Sequence, residues 1–167
     1  IHIPNTLGSL PNLTSLSLGS FNNNNYNIVP HQLLCGLRCF PKSLINLSIG
    51  NCHPLFRLPN CLESCTDLQS ITLSRVTPNR GYELSDWVSP VWLLPHLTSL
   101  DLSAGEWHAV PQQLSRLVTL RTLVISDSML CPEEHSGVVP PLPVSMHPMM
   151  ELGLLRVLDM RGCGLGV

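Results

Sequence analysis

The chain has 167 residues, of which 44% are hydrophobic and 12% charged, so it is long enough to bury a core and short enough to form one domain. Its formal net charge of −2 gives no electrostatic reason to expect nucleic acid or an anionic membrane as a partner. No apolar run approaches the roughly 20 residues of a membrane-spanning helix, so we expect no membrane segment in these residues.

The first element of the chain is a leucine triplet with the spacing L-x-x-L-x-L, formed by Leu13, Leu16 and Leu18. Strict alternation in its second half predicts a half-exposed strand, with leucines on one side and polar residues on the other. The triplet occurs six times: Leu13/Leu16/Leu18, Leu44/Leu47/Ile49, Leu68/Ile71/Leu73, Leu97/Leu100/Leu102, Leu120/Leu123/Ile125 and Leu155/Leu158/Met160. One such unit cannot bury its apolar side alone, so the copies are expected to stack side by side.

The segments before the triplets carry a second pattern. Pro4, Pro59 and Pro111 each lie nine residues before a triplet, and small or large hydrophobic residues follow at every third position. The complete repeat is L-P-x-x-L-x-x-L-x-x-L-x-x-L-x-L, and the interval from Leu97 to Leu120 is 120 − 97 = 23 residues. This spacing predicts a helix-like limb that returns the chain to the next strand.

The pattern resembles the leucine-rich repeat family over essentially all 167 residues. The resemblance implies an α/β solenoid with a parallel β-sheet on its concave face and short helical or irregular segments on its convex face. We expect residues 1–167 to form a single domain of about six repeats, with strands starting near residues 13, 44, 68, 97, 120 and 155. Neither end resembles a cap, so we expect a piece of a longer protein, with the rest of the polypeptide packing on both ends.

Two departures from the family pattern lead to further expectations. The family usually has Asn or Cys three residues after each triplet, and only Cys52 and Cys163 fit here, so we expect irregular turns after the other four strands. The insertion from Cys131 to Met150 contains five prolines, a density that predicts no regular helix there.

Catalytic and cofactor motifs are missing from the sequence. It contains no G-x-S-x-G, G-x-x-x-x-G-K-[ST] or H-E-x-x-H, so we expect no enzyme activity, no cofactor and no metal. The seven cysteines cannot all pair with one another, and we expect free thiols in a reduced, cytoplasmic setting. Two glycosylation sequons, at Asn12 and Asn46, favour an extracellular setting instead.

The outward-facing strand positions carry mainly serine and threonine, which lack the anchoring groups of binding hot spots. Larger groups are concentrated near the ends of the strands. Arg75 and Asp127 each follow a last strand leucine or isoleucine by two residues, so we expect them to share one line across the sheet. The candidate partner-binding residues are Arg75, Asp101, Trp107, His108, Asp127, Asp159 and Arg161.

The resemblance also implies a function, that of a scaffold for binding a protein or peptide. The 23-residue interval, the V-P-x-x-L-x-x-L-x-x-L limb and the cysteines are similar to intracellular members, including the recognition regions of plant-type disease-resistance immune receptors, which act in defence signalling. One alternative is the ectodomain of a plant-type receptor at the extracellular face of the plasma membrane, suggested by the stretch from Ile3 to Gly8. Another is the set of substrate-docking repeats of a ubiquitin ligase or kinase.

Overall fold

The structure, a computed structural model, describes residues 5–19, 40–50, 58–76, 88–105, 110–127 and 147–163. Its strands are β1 (Ser15–Gly19), β2 (Asn46–Gly50), β3 (Ser70–Ser74), β4 (Ser99–Asp101), β5 (Thr122–Val124) and β6 (Val157–Asp159). The described ranges also contain four 3-10 helices and one α-helical turn: η1 (Asn5–Ser9), η2 (Asn60–Ser64), η3 (Ser89–Leu93), η4 (Gln112–Arg116) and α1 (His147–Met150).

The six strands form one parallel sheet in sequential order, β1 to β6. Each strand starts two residues after the first leucine of its triplet, and the middle residues of successive triplets pair in register. That register row is Leu16, Leu47, Ile71, Leu100, Leu123 and Leu158. The prediction of a parallel sheet with short helical segments between its strands is therefore confirmed.

The return limbs are 3-10 helical because their hydrophobic residues recur every three residues, which is the period of that helix. In the limb that contains η2, the N–H of Leu62 donates to Pro59 O, that of Cys65 to Leu62 O, and that of Leu68 to Cys65 O, at 3.0, 2.9 and 3.1 Å. The limb that contains η4 repeats this chain of bonds from Pro111. Each buried apolar residue thus has its backbone donor satisfied by the residue three positions earlier.

The core lies between the sheet and these limbs. Leu114 and Leu117 of the η4 limb are 2% and 1% exposed, and Leu120 and Leu123 of the fifth triplet are fully buried. The inward-facing residues of the two outer strands, β1 and β6, are less buried than those of the inner strands. Leu158 of β6 is 44% exposed, although it occupies the same register position as the buried Leu123.

The short helix α1 corrects one expectation. Its four residues lie at the end of the proline-rich segment from Cys131 to Met150, where no regular helix was predicted. Pro148 occupies the first helical turn, where a missing backbone N–H costs nothing because that donor has no intrahelical partner. Pro148 and Met149 are buried, and the turn packs against η4. Across the described residues, no helix is long and apolar enough to cross a membrane.

Candidate functional site

The outward side of the sheet, here called the polar face, consists of three rows of mostly small side chains. The first row is Ser15, Asn46, Ser70, Ser99, Thr122 and Val157; the second is Ser17, Ser48, Thr72, Asp101, Val124 and Asp159. The third row lies at the strand ends and comprises Gly19, Gly50, Ser74, Ser103, Ser126 and Arg161. Short side chains leave this surface open to close approach by another molecule.

Beyond the third row the chain turns away from the sheet, and the residues of this turn, together with Arg161 at the end of the third row, are here called the ascending edge. Arg75, Ala104 and Asp127 have φ angles of 52°, 53° and 55°, and Gly162 in the matching position has 68°. The N–H groups of the three non-glycine residues donate to the next repeat, to Ser103 O at 3.0 Å, Ser126 O at 2.8 Å and Arg161 O at 2.7 Å respectively. The inter-repeat hydrogen bonds therefore continue one turn past the strands.

The expectation of irregular turns is wrong for the turns after β3 and β4. The residue following the left-handed position is buried whatever its identity: Val76 after β3, Gly105 after β4, and Cys163 after β6. The Cys163 thiol bonds to Ile125 O at 2.9 Å, as the family pattern implies for a cysteine in this slot. Backbone bonding to the next repeat maintains the same turn at Val76 and Gly105, which carry no polar side chain.

Asp101 and Asp159 occupy the same slot of their repeats and make the same local contact. Asp101 Oδ1 accepts the backbone N–H of Ser103 at 2.8 Å, and Asp159 Oδ1 accepts that of Arg161 at 3.2 Å. A carboxylate that bonds the backbone two residues later stabilises a turn. Both candidates therefore support the ascending edge as well as presenting charge.

Arg161 closes over Asp159 in a two-pronged ion pair. The guanidinium donates from Nε to Oδ1 at 2.9 Å and from its terminal nitrogen to Oδ2 at 2.6 Å. These bonds lower the pKa of Asp159 to about 2, with the side-chain hydrogen bond as the largest cause and the Arg161 backbone N–H as the next. The pKa of Arg161 is raised in return, mainly by its hydrogen bond to Asp159, and the charge of Asp127 raises it further.

Of the candidate partner-binding residues that the structure describes, three lie close together and two lie apart from them. Asp127, Asp159 and Arg161 lie together at the ends of β5 and β6. Arg75 shares the line of Asp127 as predicted, separated by the Ala104 turn, a distance of about 10 Å for two strand spacings. Asp101 lies in the row of Asp159, two strands away. Trp107 and His108 lie outside the described residues.

Comparison with known proteins gives matches at the level of structure. No family model and no curated protein matches the chain. The leucine-rich repeat domain of the type III effector XopL has a TM-score of 0.56 and 21% identity over 98% of this chain and 49% of its own. An internalin from Listeria monocytogenes str. 4b F2365 has a TM-score of 0.37 and 15% identity over 96% of this chain and 60% of its own.

The chain has a leucine-rich repeat fold. The structural likeness to the XopL domain accords with the six-stranded parallel sheet and its in-register triplets. This chain spans about half the length of that domain, so the comparison concerns the repeat architecture alone.

Sequence reasoning missed two residues on the leucine-rich repeat sheet. Arg121 and Arg156 directly follow the first leucine of their triplets, and both are exposed. The Arg121 carbonyl accepts the N–H groups of Arg156 and Val157 at 2.8 and 3.0 Å, so the two arginines are in register on neighbouring repeats. Comparing this one slot across the six repeats would have revealed them.

Within the described ranges, no three histidine, cysteine, aspartate or glutamate side chains lie close enough together to hold a metal ion. Cys61, Cys65 and Cys163 are present as thiols, and the other four cysteines lie outside the described residues. The pKa of Cys65 is raised to about 11, mainly by burial and next by the neighbouring Cys61, while a hydrogen bond with Ser64 acts to lower it. A thiol with this pKa stays protonated at neutral pH and is a poor nucleophile.

Proposed function

We propose that this chain is a protein-interaction scaffold without chemistry of its own, and that it binds a protein or peptide along the ascending edge. The observation that carries the proposal is the difference in side chains between the polar face and the ascending edge. Apart from Asp101 and Asp159, the polar face presents mainly serine, threonine and glycine, whereas Arg75, Asp127 and Arg161 place charge on the ascending edge. Truncating a small exposed hydroxyl costs little, whereas arginine is common among binding hot spots.

The geometry of the ascending edge suits this role. Its turns are held by hydrogen bonds of 2.7 to 3.0 Å to the neighbouring repeat, so the side chains start from fixed backbone positions. A preorganised surface loses less conformational entropy on binding than a mobile loop does. The Arg161 side chain is 86% exposed although it is paired with Asp159, and its charge is accessible to a partner.

We further propose that the partner is recognised inside the cell, in the manner of the recognition region of an immune receptor. The support is the 23-residue interval and the thiol state of Cys61, Cys65 and Cys163. A cytoplasmic location fits cysteines that remain reduced. A surface-receptor ectodomain and a substrate-docking module of a ubiquitin ligase or kinase are the alternatives, and both also work by binding proteins.

Affinity capture from cells of the source organism, quantified by mass spectrometry, tests the binding surface. The variant Arg75→Ala/Asp127→Asn removes two charges from the ascending edge, and Ser70→Ala/Thr72→Ala removes two hydroxyls from the polar face as a matched control. We expect the first to lose its captured partner and the second to keep it, with circular dichroism unchanged for both. Equal loss in both, or loss only in the control, would place the contact on the polar face.

A further inference from the structure

Two arginines stand side by side at the other end of the strands from the ascending edge. Arg121 and Arg156 occupy the slot just before β5 and β6, and the Arg121 carbonyl bonds to the Arg156 N–H at 2.8 Å. Neighbouring parallel strands are about 4.8 Å apart, so the two side chains originate within one strand spacing of each other. The same slot holds uncharged residues in the four earlier repeats: Thr14, Ile45, Gln69 and Thr98.

This placement is electrostatically unfavourable in the isolated molecule. Like charges at matched positions of adjacent strands repel each other. The salt bridges found within the described ranges join His147 to Glu151 and Arg161 to Asp159, so no described carboxylate neutralises Arg121 or Arg156. Both side chains are exposed and accessible from solvent.

The surroundings of the pair add an apolar component, and the acid of β6, Asp159, is already paired. Val157, the residue after Arg156, is 50% exposed. Leu154, two residues before Arg156, is 52% exposed. Asp159 lies three residues farther along β6, about 10 Å from Arg156 at a strand rise of about 3.3 Å per residue. Asp159 is also already bound by Arg161. Positive charge and exposed aliphatic surface therefore occur together at this end of the sheet.

We propose that Arg121 and Arg156 form a docking site for an acidic peptide segment, with Val157 and Leu154 contacting an apolar side chain beside the acids. Two guanidinium groups one strand spacing apart can bind neighbouring carboxylates, and charge-assisted bonds of this kind are about twice as strong as neutral ones. The proposal rests on the proposed function in that the partner is a protein. It adds a second contact at the opposite end of the strands and names the chemistry of that contact.

The test uses a fluorescein-labelled hexaglutamate peptide and fluorescence anisotropy with the whole chain. Arg121→Gln/Arg156→Gln removes both charges and keeps long polar side chains. Arg116→Gln/Lys42→Gln removes two exposed positive charges elsewhere and is the control for net charge. We expect the first variant to weaken binding about ten-fold or more and the control less than about two-fold. Added salt should weaken wild-type binding, because the interaction is between exposed charges.

Three results would overturn the proposal: no binding to the wild type up to about 1 mM peptide, equal losses in the two variants, or tighter binding of a labelled oligothymidylate than of hexaglutamate. The last result would assign the pair to nucleic acid. The two proposals fail separately. If the wild-type chain does not bind hexaglutamate but Arg75→Ala/Asp127→Asn loses the captured partner, the ascending-edge proposal stands and the acidic-peptide proposal fails. If the chain binds hexaglutamate through Arg121 and Arg156 but Arg75→Ala/Asp127→Asn keeps the partner, only the acidic-peptide proposal stands.

Discussion

The Asp127 carboxylate lies beside Gly162 of the next repeat, so that a Cβ at position 162 would collide with Asp127 Oδ1. Both residues are in the left-handed region, with φ angles of 55° and 68°. A candidate binding residue and a structural glycine are therefore fitted to each other across two turns of the ascending edge. This contact links the stability of the edge to the position of its charge.

Replacing Gly162 by alanine should destabilise the chain by about 1 to 2 kcal/mol, the usual cost of a side chain in the left-handed region. The Asp127 carboxylate would have to rotate away from the new Cβ, whereas the Asp127 Cα, at 3.4 Å, would be in ordinary van der Waals contact with it. Gly153→Ala is the matched control, since no atom lies within 4 Å of a Cβ there. Urea denaturation measures both, and equal stability of the two variants would contradict the turn geometry.

The return limbs should behave as core. Leu114→Ala and Leu117→Ala should each cost about 2 to 5 kcal/mol, the range observed when a packed leucine site is emptied. Val118 is 62% exposed, so Val118→Ala should change the free energy of unfolding by less than about 0.5 kcal/mol. Chemical denaturation compares the three variants. A loss below about 0.5 kcal/mol for both leucine variants would show that the repeat register is wrong.

Much of this fold is predictable because its apolar residues repeat with two different periods. Alternation at Leu123 and Ile125 predicts a strand where β5 (Thr122–Val124) lies, and the three-residue spacing of Leu114 and Leu117 predicts a helical limb where η4 lies. The limb is a 3-10 helix rather than an α-helix because its leucines recur every three residues, which matches the three residues per turn of a 3-10 helix.

The turns were less predictable for a physical reason. Their conformation depends on backbone bonds to the next repeat, such as Arg75 N–H to Ser103 O, which leave no signature in the residue at the turn. The predicted alignment of Arg75 with Asp127 holds because register alone determines it. The pairing of Asp159 with Arg161 and the turn-stabilising role of Asp101 depend on side-chain geometry two residues away, which spacing alone does not show.

Acid should weaken the turn after β6 through Asp159. Its pKa is lowered from 3.8 to about 2 by Arg161, so the folded state binds fewer protons than the unfolded state between these values. The stabilisation is complete above about pH 4 and is lost as the pH falls toward 2. A carboxyl NMR titration should give a midpoint near 2 in the wild type and a higher one in Arg161→Ala. A wild-type midpoint near 3.8 would mean that the ion pair does not form in solution.

All seven cysteines should be thiols in protein made by its own cells. Alkylation under denaturing, non-reducing conditions, followed by mass spectrometry, should therefore label every one. Under native conditions at mildly alkaline pH, Cys65 should react slowly, because burial raises its pKa to about 11 and only the thiolate is nucleophilic. Any disulfide among the seven would favour the extracellular alternative.

The central claim, that a partner contacts the ascending edge, is tested most directly by site-specific photocrosslinking in an extract of the source cells. A photoreactive residue would replace Ala104 on the edge, between Arg75 and Asp127, and Ser48 or Thr72 on the polar face, in otherwise identical chains. We expect a protein to be crosslinked from position 104 and not from positions 48 and 72. Crosslinking from 48 and 72 alone would contradict the account and assign the contact to the polar face.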